Sequence, residues 1–301
     1  MRRAVAAHPT HVRLARALAF TISFTRGRET EARAVQLDIL RRASRDPLLR
    51  YEIAMSYCDY SFYGPGGTMA TNVASAIEHL DAAIAIQPFA SALILKATLI
   101  GGWRGDLPAM RAVLDQLEQQ PIVERAEDRA VYITMWAGLM ERRPDRVEAA
   151  AALTARNYTD DMVMLMRPKA WRLALAHRLA GKVNSERAAW QSAEAVLRQR
   201  IKDAPADPYY QIELATTLAW LDQREEATRL VAAIEPVWKE NLLYGRPQAL
   251  ALFYAAMGDA KKAAAYLPEL IDQTPFVTRK TIPLDPWWDK IRDAPEFVAL
   301  L

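Results

Sequence analysis

The chain has 301 residues, and its 39 Lys and Arg stand against 36 Asp and Glu, so the formal charge of +3 provides no broad field for nucleic acid or an acidic membrane. Hydrophobic residues make up 51%, Gly numbers only 11, and good helix formers abound, which predicts an all-α protein. A single cysteine, Cys58, excludes an internal disulfide framework and any multi-cysteine metal site.

Met1, Arg2 and Arg3 precede the apolar run Ala4 to Ala7, but His8, Pro9, His11, Arg13 and Arg16 interrupt it early. No cleaved signal is expected, no window reaches the roughly 18 apolar residues of a membrane span, and the expected compartment is the cytoplasm. Thr10 to Arg26 and Thr30 to Ser44 read as a first helix pair ending before Asp46 and Pro47. Leu48 to Tyr60, with Ile53, Ala54 and Tyr57 on one face, pairs with a helix marked by Ala76, Leu80 and Ala83. The loop between them, Ser61 to Thr68, is longer than the pairing needs. Ala90 to Gly101 pairs with Leu107 to Gln119 across Gly105 and Asp106. Glu124 to Glu141 pairs with Asp145 to Ala155, and Pro168 to Ala180 with Asn184 to Lys202.

Two further units repeat one another. Leu214, Ala215, Leu218, Ala227 and Val231 in Pro208 to Asn241 recur as Leu250, Ala251, Tyr254, Ala263 and Leu267 in Tyr244 to Val277, an offset of 36 residues as from Ala227 to Ala263. A helix-turn-helix unit recurring at about 34 residues is the mark of the tetratricopeptide repeat, whose pairs must stack to bury their apolar faces. The expectation is therefore a right-handed α-α superhelix of about seven helix pairs over residues 1–275. In the tail, Asp285 with Pro286, and Asp293 with Pro295, start two short helices, so residues 276–301 are expected to cap the last repeat.

The run LDPWWDKIRDAPEFVALL resembles the terminal signature of bacterial tetratricopeptide regions that follow serine/threonine kinase, adenylate/guanylate cyclase and winged-helix regulator modules. NVASAIEHLDAAIAIQPFASALILKATLI and GKVNSERAAWQSAEAVLRQRIKDAPADPYYQIELATTLAWLDQREEA are similar to that family's early and later repeats, so the likeness spans about Leu48 to Leu301. The resemblance implies a regulatory or protein-interaction segment of a signalling protein. No kinase, cyclase or DNA-binding module is expected within these 301 residues, so those activities are not carried over.

Catalytic signatures are missing: there is no H-E-x-x-H, G-x-S-x-G, S-x-x-K, Walker lysine or paired C-x-x-C. Gly64 to Thr68 reads as an inter-helix insertion. His8, His11, His79 and His177 read as surface or packing histidines, and Asp160 and Asp161 as a cap. Cys58 reads as a small buried hydrophobe, and Trp136, Trp171 and Trp190 as inter-helix packing. Arg41, Arg42 and Arg45, and Arg142 with Arg143, fall at helix ends, where cations complement the dipole. No cofactor and no metal is implied, and the chain is read as non-catalytic.

In a superhelix of such pairs the first helix of each pair lines the concave wall. The groove would present Tyr209, Ile212, Thr216 and Trp220, then Gln248, Leu252 and Ala256. This wall is apolar, unlike the Lys and Asn lining of domains that clamp a chaperone's terminal carboxylate. The expected function is a scaffold that binds a protein or peptide segment in that groove, and Trp220→Ala should weaken binding more than stability. The alternative is a regulatory subunit, or detached C-terminal part, of a kinase, cyclase or transcriptional regulator. A second copy of the chain, a homo-oligomer, is another way to cover the same wall.

Overall fold

The computed structural model describes Arg3 and residues 11–23, 29–42, 45–58, 73–160, 166–239, 246–268, 270–271 and 276–301. Those residues are mostly helical, as composition requires. The helices are α1 (Val12–Ser23), α2 (Glu29–Arg42), α3 (Pro47–Tyr57), α4 (Val73–Ile86), α5 (Ala90–Ala97), α6 (Leu107–Leu117), α7 (Ile122–Arg125) and α8 (Asp128–Met140). They continue with α9 (Pro144–Ala151), α10 (Lys169–Leu179), α11 (Val183–Asp203), α12 (Pro208–Trp220), α13 (Arg224–Lys239), α14 (Arg246–Met257), α15 (Ala260–Tyr266) and α16 (Pro295–Val298). A π-helical stretch, Thr98–Trp103, extends α5, and a 3-10 turn, Pro286–Trp288, precedes α16. The loop insertion at Gly64, together with His8 and Asp161, lies outside the described residues.

Local chemistry starts and stops these helices in a recurring way. Asp46, Asp106, Asp207 and Asp259 each accept a backbone N–H of the following first turn, and Pro47, Pro108 and Pro208 occupy first-turn positions where no amide donor is needed. Four hairpins reverse by one device, a residue with positive φ (Arg142, Gly181, Asp222 or Gly258) followed by an amide that reaches back five residues. The bonds are Arg143 N–H to Gly138 C=O, Lys182 to His177, Gln223 to Leu218 and Asp259 to Tyr254, at 2.8, 2.9, 2.9 and 2.9 Å. The turn after α5 is one residue wider: Asp106 N–H reaches back six residues to the Ile100 carbonyl at 3.2 Å.

Among the described residues, seven helix pairs (α1/α2, α3/α4, α5/α6, α8/α9, α10/α11, α12/α13 and α14/α15) pack internally, and most also touch the next pair in sequence. First helices meet across pairs as well, α5 with α8, α8 with α10 and α12 with α14. The positions shared by the two clear repeats are buried, with Ala215, Leu218, Ala227, Ala251, Ala263 and Leu267 all inaccessible and Tyr254 partly so. Cys58 is buried and unpaired, and burial pushes its thiol up to about 12, which leaves it a packing residue.

Three features differ from the sequence expectation. The helix expected over Glu124 to Glu141 is broken into α7 and α8, and the Glu124 carboxylate accepts the Ala90 amide at the start of α5, 3.1 Å away. Tyr158–Asp160 (β1) and Met166–Pro168 (β2) pair antiparallel, Thr159 opposite Arg167, between α9 and α10. Segment 276–301 is not confined to the end of the last pair. It reaches α15 through α16, but it also runs across the π-helical stretch and the faces of α8, α10, α12 and α14.

Candidate functional site

The first helices α8, α10, α12 and α14 place an aromatic and apolar face side by side, and segment 276–301 lies on it as a strap. The strap is anchored first at the π-helical stretch, where Phe276 N–H donates to the Gly102 carbonyl at 3.0 Å. The Phe276 ring packs edge-on against Trp136 and Tyr132, with centroids 4.7 and 5.8 Å away. A side chain on Gly102 would put its Cβ 3.2 Å from that ring, so glycine is what permits the close approach. Phe276 itself sits at φ 71, a strained setting for a bulky residue, braced from within because the Thr281 hydroxyl donates to its carbonyl at 3.0 Å.

Farther along, Trp287 enters a cluster of indoles. Its centroid lies 5.1, 6.1 and 6.0 Å from those of Trp171, Trp190 and Trp220, and its Nε1–H donates to the Leu252 carbonyl at 3.2 Å. One turn on, Lys290 Nζ donates to the Ala256 carbonyl at 2.8 Å and stands 3.9 Å above the Trp220 ring. Burial, with the charges of Arg178 and Arg224, lowers the Lys290 ammonium to about 8. Asp289 takes both nitrogens of Arg142 at 3.1 and 2.9 Å and bonds Arg292 as well. Burial acts to raise the Asp289 carboxyl, but those hydrogen bonds and charges outweigh it and hold it below the usual range.

The seven residues assigned to an open groove are therefore found in another situation. Ile212, Thr216, Leu252 and Ala256 are buried and Trp220 is 9% exposed; Tyr209 and Gln248 are partly buried. The strap covers this wall, and Leu252, Ala256 and Trp220 are its direct contacts. Trp220 also stacks on Trp190 at 5.2 Å with the rings nearly parallel, so Trp220→Ala should cost stability as well as binding, which the sequence expectation did not include. The reading of Trp136, Trp171 and Trp190 as packing residues agrees with their burial at 4, 3 and 1% exposure. Trp171 Nε1–H finds the Thr217 hydroxyl at 2.8 Å.

Sequence reasoning missed the buried ionisable groups here. Arg167, Arg172 and Glu213 are all buried, with Arg172 3.9 Å over the Tyr132 ring. Arg167 and Arg172 line, with Asp285 and Gln248, a cavity of about 70 Å³ between wall and strap, room for a few waters. Asp285 caps the 3-10 turn by accepting Trp287 N–H at 2.9 Å. Burial raises its carboxyl to about 6 against the lowering effect of that bond, Arg172 and Arg292. Between about pH 4 and 6 the folded chain thus holds a proton that the unfolded chain has released, and stability falls as pH rises through that window, by about 2–3 kcal/mol. Asp285→Asn keeps the cap and removes the buried charge, so it should stabilise the chain by about 2 kcal/mol at pH 7.5 and by nothing at pH 4. Urea midpoints at both pH values check this, and parallel pH profiles for the two chains would refute it.

The remaining candidates occupy structural positions. His11 Nδ1 accepts Leu14 N–H at 3.2 Å, His79 stacks on Tyr57, and His177 faces Glu148 at 3.2 Å. Arg41 pairs with Asp38, and Arg143 with Asp145. Among the described residues no three metal-ligating side chains converge, and no helix is long and apolar enough to cross a membrane. The sequence matches no protein-family model, and no curated protein matches it.

Proposed function

We propose that this chain is a non-catalytic interaction scaffold of the tetratricopeptide type. In this reading the seven helix pairs coil into a right-handed α-α superhelix, and its groove, the face built by α8, α10, α12 and α14, takes a peptide segment in a bacterial signalling or regulatory setting. The observation that carries it is the grip on segment 276–301. This face already holds a peptide through the main-chain carbonyls of Leu252 and Ala256 and a pocket of indoles, and the π-helical stretch anchors the peptide's start at the Gly102 carbonyl. Main-chain carbonyls and aromatic faces can hold a segment supplied in trans as they hold this one, while a rigid helical frame limits the entropy lost on binding. The resemblance to tetratricopeptide regions of signalling proteins points the same way.

Selection of displayed peptides on the full chain tests the reading, with each selected peptide carrying a photo-crosslinker. Adducts on α12 and α14 are the expected result. Adducts only on outer helices, or no selected peptide at all, would overturn it.

A further inference from the structure

We propose that the partner segment of this face carries a tryptophan three residues before a lysine, in the manner of Trp287 and Lys290, and binds in trans by displacing the strap. This rests on the scaffold reading above and adds the chemistry of the partner. Leu252 and Ala256 lie four residues apart on α14, so their carbonyls emerge one helical turn apart on the same face. Trp287 and Lys290 lie three residues apart, one turn of the 3-10 helix and the turns that follow it. The indole N–H meets the first carbonyl and the ammonium the second, so spacing on the wall selects spacing in the segment.

The residue types are selected as well as the spacing. Phenylalanine or leucine would fill space among Trp171, Trp190 and Trp220 but would leave Leu252's carbonyl without the added donor that the indole supplies. The Trp220 ring under Lys290 favours a cation, and an aliphatic residue there would lose both this contact and the bond to Ala256. The wall near Lys290 also carries Arg178 and Arg224 balanced by Glu186 and Asp222, so the site tolerates one further cation rather than a basic cluster.

The strap holds its place in cis with two burdens that a segment in trans need not bring. Phe276 is strained at φ 71, and Asp285 puts a carboxyl into the wall cavity. Tethering nevertheless gives the strap an effective concentration on the order of millimolar. A free segment of equal chemistry therefore binds the intact chain weakly, and binds much better once the strap's own contact is weakened.

The probe is a fluorescent peptide with the sequence of residues 284–293, titrated by anisotropy against the full chain and its Lys290→Gln variant. Binding at least ten-fold tighter to the variant is expected. Peptide versions bearing Trp287→Ala or Lys290→Gln should each lose at least ten-fold. A peptide that binds neither chain, or whose affinity ignores both changes, overturns the proposal. With the unaltered chain, where folding is not in question, excess peptide should speed amide exchange in 276–301, and unchanged exchange there counts against it. Displayed peptides that crosslink to α12 and α14 without the Trp-x-x-Lys spacing would refute this partner class and leave the scaffold intact. The absence of any such peptide would remove both.

Discussion

Trp287→Ala should lower the stability of this chain by about 3–5 kcal/mol, the range for deleting a buried aromatic side chain, and its melting temperature by roughly 10 °C. Trp287 is 6% exposed and touches three other indoles, so its removal leaves a void ringed by rigid rings that cannot collapse into it. The Leu252 carbonyl loses its added donor at the same time. Trp287→Phe separates the two effects, since the ring remains and the donor goes; about 1 kcal/mol is expected for it. Thermal melts followed by near-ultraviolet circular dichroism measure both. A Trp287→Ala loss under 1 kcal/mol would mean that the strap is not integral to the packing.

Gly105→Ala should cost about 3 kcal/mol, far more than Gly258→Ala at about 1. Both glycines have positive φ, 65 and 75, so both substitutions carry the 1–2 kcal/mol of a left-handed L-residue. They differ in what a Cβ meets. At Gly258 there is nothing within 4 Å, whereas at Gly105 the new atom lies 2.7 Å from Lys280 Cβ, an atom fixed to the backbone of the strap. The strap must shift as a body, and amide exchange over 276–285 should rise in the Gly105 variant alone. Equal losses for the two variants would show that the strap moves aside freely at this point.

The helix pairs could be read from sequence because their signals are local. Asp followed by Pro, apolar spacing and left-handed turn residues all act within a few positions, and α12 to α15 follow them closely. The path of the strap could not, because its anchors join positions as distant as Arg142 and Asp289, 147 residues apart. Ile212, Leu252 and Ala256 are buried where an open groove was expected, because an apolar face has the same composition whether it is open or covered. Strands of three residues, as at Tyr158–Asp160, have too little period to detect. The break before α8 has no Gly or Pro to announce it, and Glu124 is drawn away to a helix start 34 residues back. Nothing local in the sequence marks Lys290, because its role depends on the Trp220 ring beneath it, 70 positions away.

The π-helical stretch Thr98–Trp103 gives the wide turn one residue more than its four sister hairpins, whose amides reach back five positions instead of six. Such a swelling is what a single inserted residue leaves behind when a helix absorbs it without breaking. Excising one residue there would restore the narrower reversal used elsewhere while swinging the following backbone through about 100°, one residue's rotation in a helix of 3.6 per turn. The carbonyl of Gly102 would then face away from Phe276, so the anchorage at this end of the molecule depends on a one-residue change of length.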